Sequence, residues 1–314
     1  MKTFGPVPSR RLGSSLGINN IPPKVCTYSC IYCQIGKTEQ LSCDRRAFYG
    51  SDELTREVRE RVAEIKKRGT PIDYLSFVPD GEPTLDNNLG QNIDLLRPLG
   101  IRVAVITNGS LLDQEAVRKD LQKSDLVSLK IDAVTKKTWL RMDRPHRSLD
   151  LRAIHDGMRE FARRFKGELI TETMLLKGIN DGYEEIAKIA DFLRLLKPHK
   201  SYISIPTRPT AVKGVFPASD QALTGAYQAF NEKGLSVEYL IGNEGNAFGY
   251  SGNIEEDLLG ITSVHPMRED AVREYVRRAG ADWNVITNLI QSGSLKKVKY
   301  QGKTFYLRRF SQKA

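Results

Sequence analysis

The chain has 314 residues, 40% hydrophobic and 27% charged, a balance that excludes a disordered or fibrous protein and leaves room for one large core and a smaller second unit. Its formal net charge of +10 points toward polyanionic partners, nucleic acid among them. No stretch is apolar for long enough to span a bilayer, and the opening MKTFGPVPSRRLGSSLGINN lacks the apolar run of a secretion signal, so a cytoplasmic protein with no membrane partner is expected.

The first informative segment is Cys26-Thr27-Tyr28-Ser29-Cys30-Ile31-Tyr32-Cys33, which holds three of the four cysteines. Three thiolates on one short loop can take three corners of a cubane iron–sulfur cluster and leave the fourth iron without a protein ligand, open to chemistry. A structural zinc site would draw on Cys43 as its fourth ligand, because the first histidine is His146. A bridge among these cysteines is the other competing use. Otherwise Cys43 reads as a free thiol.

Helix-like and strand-like segments then alternate. Leu54, Val58, Val62 and Ile65 recur at three- and four-residue steps, which predicts an amphipathic helix over residues 53–67. Strands follow at 74–78, 103–106, 126–131, 169–176 and 202–205, with helices at 89–96, 114–121, 151–165 and 183–196. That order predicts an α/β fold with parallel strands joined by right-handed crossovers. The first of these strands runs into Pro79-Asp80-Gly81-Glu82-Pro83, and the second into Thr107-Asn108-Gly109, either of which taken alone is an ordinary turn. Ser128, Lys130 and Asp132 alternate along one strand and so share a face. A polar stripe there suits a ligand, although a buried Lys–Asp pair is the simpler alternative. Arg144, His146 and Arg147 follow, and Arg208 stands between two prolines, positions suited to phosphate or carboxylate recognition or to plain salt bridging. His155 and His199 read as helix-surface residues.

The tail changes character. A polar, glycine-rich stretch at 242–253 opens a linker reaching to residue 260, which divides the chain into domains at 1–241 and 261–314. In the second, helices are predicted at 268–279 and 283–291 and a hairpin at 295–309, an order that resembles a winged-helix domain. From residue 261 onward 11 Lys and Arg stand against 4 Asp and Glu, so this segment carries +7 of the whole chain's +10. Concentrated charge of this kind is a footprint of phosphate-backbone binding.

The C-x3-C-x2-C spacing, with aromatic Tyr32 just before the last cysteine, resembles the signature of the radical S-adenosylmethionine (SAM) superfamily. That resemblance implies one 4Fe-4S cluster on Cys26, Cys30 and Cys33, whose open iron is chelated by the amino and carboxylate groups of SAM. It also implies one-electron cleavage of the sulfonium, fed by a reductant such as ferredoxin or flavodoxin, and a 5'-deoxyadenosyl radical that takes a hydrogen atom from the substrate. The fold implied is a partial TIM barrel of about six β/α units with its site at the carboxyl ends of the strands. Tyr32 is then expected beside the adenine, Gly81 and Glu82 at the methionine ammonium, and Asn108, Ser128, Lys130 and Asp132 around the rest of SAM. Phe4 to Arg11, Asp80-Gly81-Glu82-Pro83-Thr84, Thr107-Asn108-Gly109 and Arg144-Pro145-His146 are further similar to the group that includes the tRNA wyosine-forming enzymes, over roughly residues 4–240. Those enzymes carry extra amino-terminal cysteines for a second cluster, whereas here none precedes Cys26. The expectation is radical modification of a tRNA or other RNA base. Radical modification of a protein or peptide, and a redox-sensing DNA-binding regulator, are the alternatives.

Overall fold

The computed structural model describes residues 2–241, 248–250 and 252–309. The chain opens on an antiparallel hairpin of β1 (Thr3–Ser9) and β2 (Gly13–Ile18). A short parallel ladder of β3 (Val25–Cys26) and β4 (Gln40–Leu41) ties together the two ends of the cysteine loop. Strands and helices then alternate: α1 (Ser51–Lys67), β5 (Tyr74–Phe77), α2 (Leu89–Leu96), β6 (Arg102–Thr107), α3 (Glu115–Leu121) and β7 (Leu126–Lys130). The order continues through α4 (Lys136–Met142), α5 (Leu151–Arg164), β8 (Glu168–Met174), α6 (Tyr183–Leu196), β9 (Lys200–Ser204), α7 (Asp220–Glu232) and β10 (Val237–Leu240).

The eight-stranded sheet runs β1-β2-β5-β6-β7-β8-β9-β10, parallel throughout except for β1 at its edge. Chain order and sheet order coincide, as successive crossovers of one hand require, and the curled sheet is the partial TIM barrel expected. The alternation of side chains gives its two faces different work. Leu75, Phe77, Val103, Val105, Val127 and Leu129 join Leu54, Val58, Ile93 and Phe161 of the helices in the main core. The opposite face carries Tyr74, Leu126, Ile170 and Tyr202 low in the lumen. Two residues on, towards the carboxyl ends, that same face presents Ser76, Ser128, Glu172 and Ser204, so the polar part of the lumen lies under the strand ends.

After residue 247 the chain forms a second, smaller unit. Asn253 caps α8 (Ile254–Val264) by accepting from the Glu256 amide, followed by β11 (Met267–Arg268), α9 (Glu269–Arg278), α10 (Asn284–Gln291), β12 (Leu295–Tyr300) and β13 (Lys303–Arg308). Its antiparallel sheet has the order β11-β13-β12 and its own core around Leu258, Val272, Ile286 and Tyr306. α8 begins inside the stretch read from the sequence as linker, while residues 242–247 and 251 of that stretch lie outside the described residues. This module covers the β1 edge of the barrel. Gly249 N donates to Pro6 O at 2.6 Å, Arg61 of α1 pairs with buried Asp257 at 2.9 Å, and Arg68 donates to Tyr250 O at 2.9 Å. No described helix is long and apolar enough to cross a membrane.

Candidate active site

The cysteine loop is clamped at the carboxyl ends of the strands by backbone bonds from both sides. Lys24 N donates to Asp80 O at 2.7 Å and Glu82 N to Val25 O at 3.1 Å, while His146 N donates to Thr27 O and Ile31 N to Met142 O, both at 2.9 Å. Gly81 is what permits the first clamp: a Cβ there would fall 2.0 Å from the Val25 carbonyl oxygen. Buried Lys24 and Asp80 pair at 2.7 Å beneath it, and burial raises Asp80 to about 6 against the pull of that lysine.

Cys26, Cys30 and Cys33 are free thiols that share one neighbourhood. Burial raises all three; Glu82 and Cys33 add to it at Cys26, and Asp143, Cys26 and Cys33 at Cys30. Opposing that, the amides of Thr27 and Tyr28 donate to Cys26, and those of Ile35 and Gly36, with Lys24 nearby, favour the Cys33 thiolate. Asn108 Nδ2 stands 3.7 Å from Cys26 Sγ. This donor set fits an iron–sulfur cluster: three thiols on one loop, with N–H groups aimed at sulfur and little else to bind them. Cys43 lies apart, bonded by Ser148 and facing Asp44 and Asp113. Among the described residues no three of His, Cys, Asp or Glu converge as a single metal ion requires.

Two polar networks hold the rim. In one, buried Glu82 accepts from Thr84 N at 3.1 Å, the hydroxyls of Thr84 and Thr107 at 2.6 Å each, and Asn108 N at 2.8 Å. Those donors use the lone-pair positions of a carboxylate, so Glu82 fixes the β5 and β6 ends to one another. Asn108 continues the chain by donating to Thr27 Oγ1 at 2.8 Å, and Ser110 Oγ lies 2.7 Å from the same hydroxyl. In the other, Tyr32 donates to Asp132 and, at 3.4 Å, to Asp143, whose Oδ1 also receives the Cys30 thiol at 3.6 Å. Lys130 pairs with Asp132 at 2.9 Å and Glu172 at 3.3 Å and lies 5.1 Å from the Tyr32 ring centre. Arg11 from the hairpin turn closes the network on Glu172. Burial works to raise Glu172, but Lys130 and Arg11 outweigh it and hold it at about 2. Asp143, desolvated and beside Asp132, is pushed well above the carboxylate range.

The structure therefore gathers Tyr32, Gly81, Glu82, Asn108, Lys130 and Asp132 around the three cysteines. Ser128 lies one step deeper, buried, with no hydrogen bond from its hydroxyl among the described residues. Asp143, Glu172, Thr27 and Thr107 were not singled out from the sequence. Glu172 had a legible signal, a charge in the apolar alternation of a barrel strand. Arg208 stands across the lumen, 2.9 Å from His265 Nε2. His155 packs on Phe192 with ring centres 4.3 Å apart, and burial lowers it to about 4. The helix-surface reading of His199 fails: it precedes β9, and its Nδ1 accepts from Leu169 N at 3.1 Å.

The radical SAM superfamily model matches residues 20–193. The chain is 46% identical over 307 residues to the UPF0026 protein MJ1312 of Methanocaldococcus jannaschii, covering 97% of this chain and 95% of that protein. Among solved structures it is similar to TYW1 with a lysine–pyruvate adduct bound, at TM-score 0.55 and 14% identity, over 71% of this chain and 75% of that one. It is equally similar to Streptococcus suis SuiB bound to the precursor peptide SuiA, at TM-score 0.55 and 15% identity, over 72% and 49% of the two chains. At such identities the two structures show a shared fold.

Proposed function

The chain belongs to the radical SAM superfamily, and on that premise we propose that Cys26, Cys30 and Cys33 hold its 4Fe-4S cluster and that it modifies an RNA base, most simply in tRNA, brought to the mouth of the barrel. Cluster and SAM together supply a 5'-deoxyadenosyl radical when one electron, from a donor such as ferredoxin or flavodoxin, cleaves the sulfonium. The observation that carries the ligand assignment is the shared neighbourhood of the three thiols, apart from Cys43.

The remaining residues have distinct tasks in this reading. Asn108 and the loop amides donate to sulfur, which stabilises the more negative, reduced state of the cluster. Gly81 lets the Val25 backbone pack against the end of β5, which holds its own backbone at the SAM ammonium, and Glu82 acts as a positioning residue whose charge faces that ammonium. The hydroxyl of Ser128 is available to SAM. Asp132 orients Tyr32 through its phenol and Lys130 through its ammonium, with the Tyr32 ring beside the adenine.

The substrate reading rests on the C-terminal module. Its helix, strand, two helices and hairpin would make up a winged helix, with α8 drawn from the stretch that the sequence reads as linker. Tyr300 of the hairpin donates to Pro206 O at 3.4 Å, which brings the hairpin beside the end of β9. Lys296, Lys297 and Lys299 are exposed there, so a bound polyanion would lie across the barrel opening.

Anaerobic reconstitution tests both halves. Protein given iron, sulfide, dithionite and SAM should release 5'-deoxyadenosine. Alanine at Cys26, Cys30 or Cys33 should abolish that release and the iron content, while Cys43→Ala keeps both. Loss of iron from Cys43→Ala as complete as from the others would sink the ligand assignment. Cross-linking to RNA should be competed by tRNA; capture of a polypeptide without RNA would favour the protein-modifying alternative.

A further inference from the structure

Phe216 lies in the segment that joins β9 to α7, at the mouth of the barrel, and its side chain is 58% exposed. The backbone beneath it is pinned. Lys177 N donates to Phe216 O at 3.0 Å, Pro217 forms a bridge with Leu176, and Ala218 N donates to Leu175 O at 3.3 Å. On the other side Val215 is buried in a small apolar cluster with Ile31, Tyr32 and Met142, and Val212 N donates to Ile31 O at 3.1 Å. The proline that follows Phe216 narrows its conformation further. The segment is thus laid over the cysteine loop, with one aromatic ring held outward by a fixed backbone.

A lone exposed apolar side chain is ordinary, so its surroundings decide what it does. The stretches between β7 and α5, between β8 and α6 and between β9 and α7 hold eight Lys and Arg against four Asp. All four acids are occupied: Asp132 and Asp143 are buried, Asp150 caps α5, and Asp181 accepts from Gly178 N at 2.8 Å. Lys136, Lys137, Arg141, Lys177 and Lys213 are exposed, and none of them pairs with a carboxylate among the described residues. Lys177 and Lys213 flank Phe216 directly. Arg141 donates to Gly178 O at 3.1 Å, which brings the basic face of α4 alongside them.

An aromatic face set among unpaired cations matches one partner. A nucleotide base stacks on such a ring while the phosphates on either side of it meet the cations, and any base will do because each has a π-face. A duplex would use the cations but not the ring, since its bases are already stacked on one another. The same segment also reaches the C-terminal hairpin, where Tyr300 donates to Pro206 O, so the basic rim and the hairpin lysines form one surface.

We propose that Phe216 is a stacking platform for an unpaired base of the RNA substrate, with Lys177 and Lys213 holding the phosphates beside that base. This deepens the RNA reading above and rests on it. It also narrows the substrate: the RNA arrives as a single-stranded loop, with one base parked on Phe216 while a neighbour reaches into the lumen.

Fluorescence anisotropy of the reconstituted full chain, with a labelled hairpin RNA that carries an unpaired loop and with a fully paired duplex of equal length, tests this. The parent should prefer the hairpin. Phe216→Ala should weaken the hairpin about tenfold, within the range for one base on one ring, and leave the duplex within twofold of the parent. Phe216→Trp keeps a ring face and should retain hairpin affinity, whereas Phe216→Leu, apolar but without that face, should behave as the alanine variant. Slow release of 5'-deoxyadenosine without RNA should stay at the parent rate in all three, because the ring points away from the cofactor. Hairpin affinity within twofold of the parent in Phe216→Ala overturns the proposal and leaves the RNA reading standing. Full affinity in Phe216→Leu also overturns it, since apolar burial without stacking is how a polypeptide would use this residue. A parent that binds neither RNA overturns it together with the RNA reading.

Discussion

The barrel mouth and the C-terminal hairpin both concentrate charge, but they hold it in opposite ways. At the mouth, Lys24, Lys130, Asp80, Asp132, Glu82 and Glu172 are largely withdrawn from water and each has a named partner. On the hairpin, Lys296 and Lys299 make no ion pair among the described residues, and Lys297 only a 3.5 Å pair with Glu269. Buried, mutually paired charges fix atoms in space, and removing one strands another. Exposed charges of one sign hold nothing in place, and their effects add in small steps that salt can screen. The first arrangement suits a site that must keep a cofactor oriented, and the second suits recognition of a flexible polyanion.

The largest effect should come from the tightest point of the mouth. Gly81→Ala places a methyl group against the Val25 carbonyl, a backbone atom that can move only by dragging Cys26 with it. We expect a loss of more than about 4 kcal/mol in stability, the range reserved for strain at special backbone positions. Iron uptake should fall with it, as read by chemical unfolding and iron analysis. Full iron occupancy in a stable Gly81→Ala protein would show that this approach does not set the loop. The joint between the two regions comes next. Asp257→Ala leaves Arg61 and the Tyr275 hydroxyl without an acceptor they share, at 2.9 and 3.0 Å, in a place largely closed to water. Breaking such a pair costs about 3 kcal/mol. The thermal transition should drop or split while the iron content holds, since the cysteines lie elsewhere.

These contrasts explain what could be read before the fold was known. The cysteine spacing and the apolar periods of α1 and the barrel strands are local patterns, and they placed the loop and most of the parallel sheet. The amino-terminal hairpin was not read, because Gly5, Pro6 and Pro8 interrupt its alternation and its register shifts between Phe4 and Val7. α8 was hidden by its neighbours: the polar, glycine-rich run before it looks like linker, and its helix begins at a cap, Asn253, inside that run. Glu82, Asn108, Lys130 and Asp132 were legible as polar residues at strand ends, and Tyr32 as the aromatic residue just before the last cysteine of the loop. Their partners were not, since Asp143 and Glu172 meet Tyr32 and Lys130 only through contacts distant in sequence. Glu82 shows the limit most clearly: its position reads from the motif, but its role as a staple appears only once Thr107 and Asn108 are seen to donate to it.

A smaller effect should distinguish residues that hold the mouth together from one that serves only the guest. The Ser128 hydroxyl is tied to no other described group, so Ser128→Ala removes no internal bond. Stability and the cluster absorbance should therefore stay unchanged. SAM affinity should fall by about 1 kcal/mol, roughly fivefold, the worth of one neutral hydrogen bond. Unchanged SAM affinity would move the cofactor away from β7. A loss of stability larger than the loss of affinity would place Ser128 with the structural residues and weaken the contrast between them.

The smallest effect per residue belongs to the hairpin, and it is read from a slope. Each lysine that neutralises a phosphate releases counterions on binding, so the logarithm of the RNA association constant falls linearly with the logarithm of salt concentration. Lys296→Glu, Lys297→Glu and Lys299→Glu should each flatten that line by about one unit of slope if the residue meets a phosphate. Folding should barely respond, because exposed pairs such as Lys297 with Glu269 contribute about 0 to 1 kcal/mol. Lys297 and Lys299 lie two residues apart on one face of β12 while Lys296 points to the other, so the strand's alternation makes a finer demand. A polyanion lying along one face should register the 297 and 299 changes together and Lys296 less, whereas a strand edge gripped from both sides should register all three alike. If none of the three alters the slope while RNA still binds, the barrel mouth itself must supply the phosphate contacts, and the division of labour between buried and exposed charge would have to be redrawn.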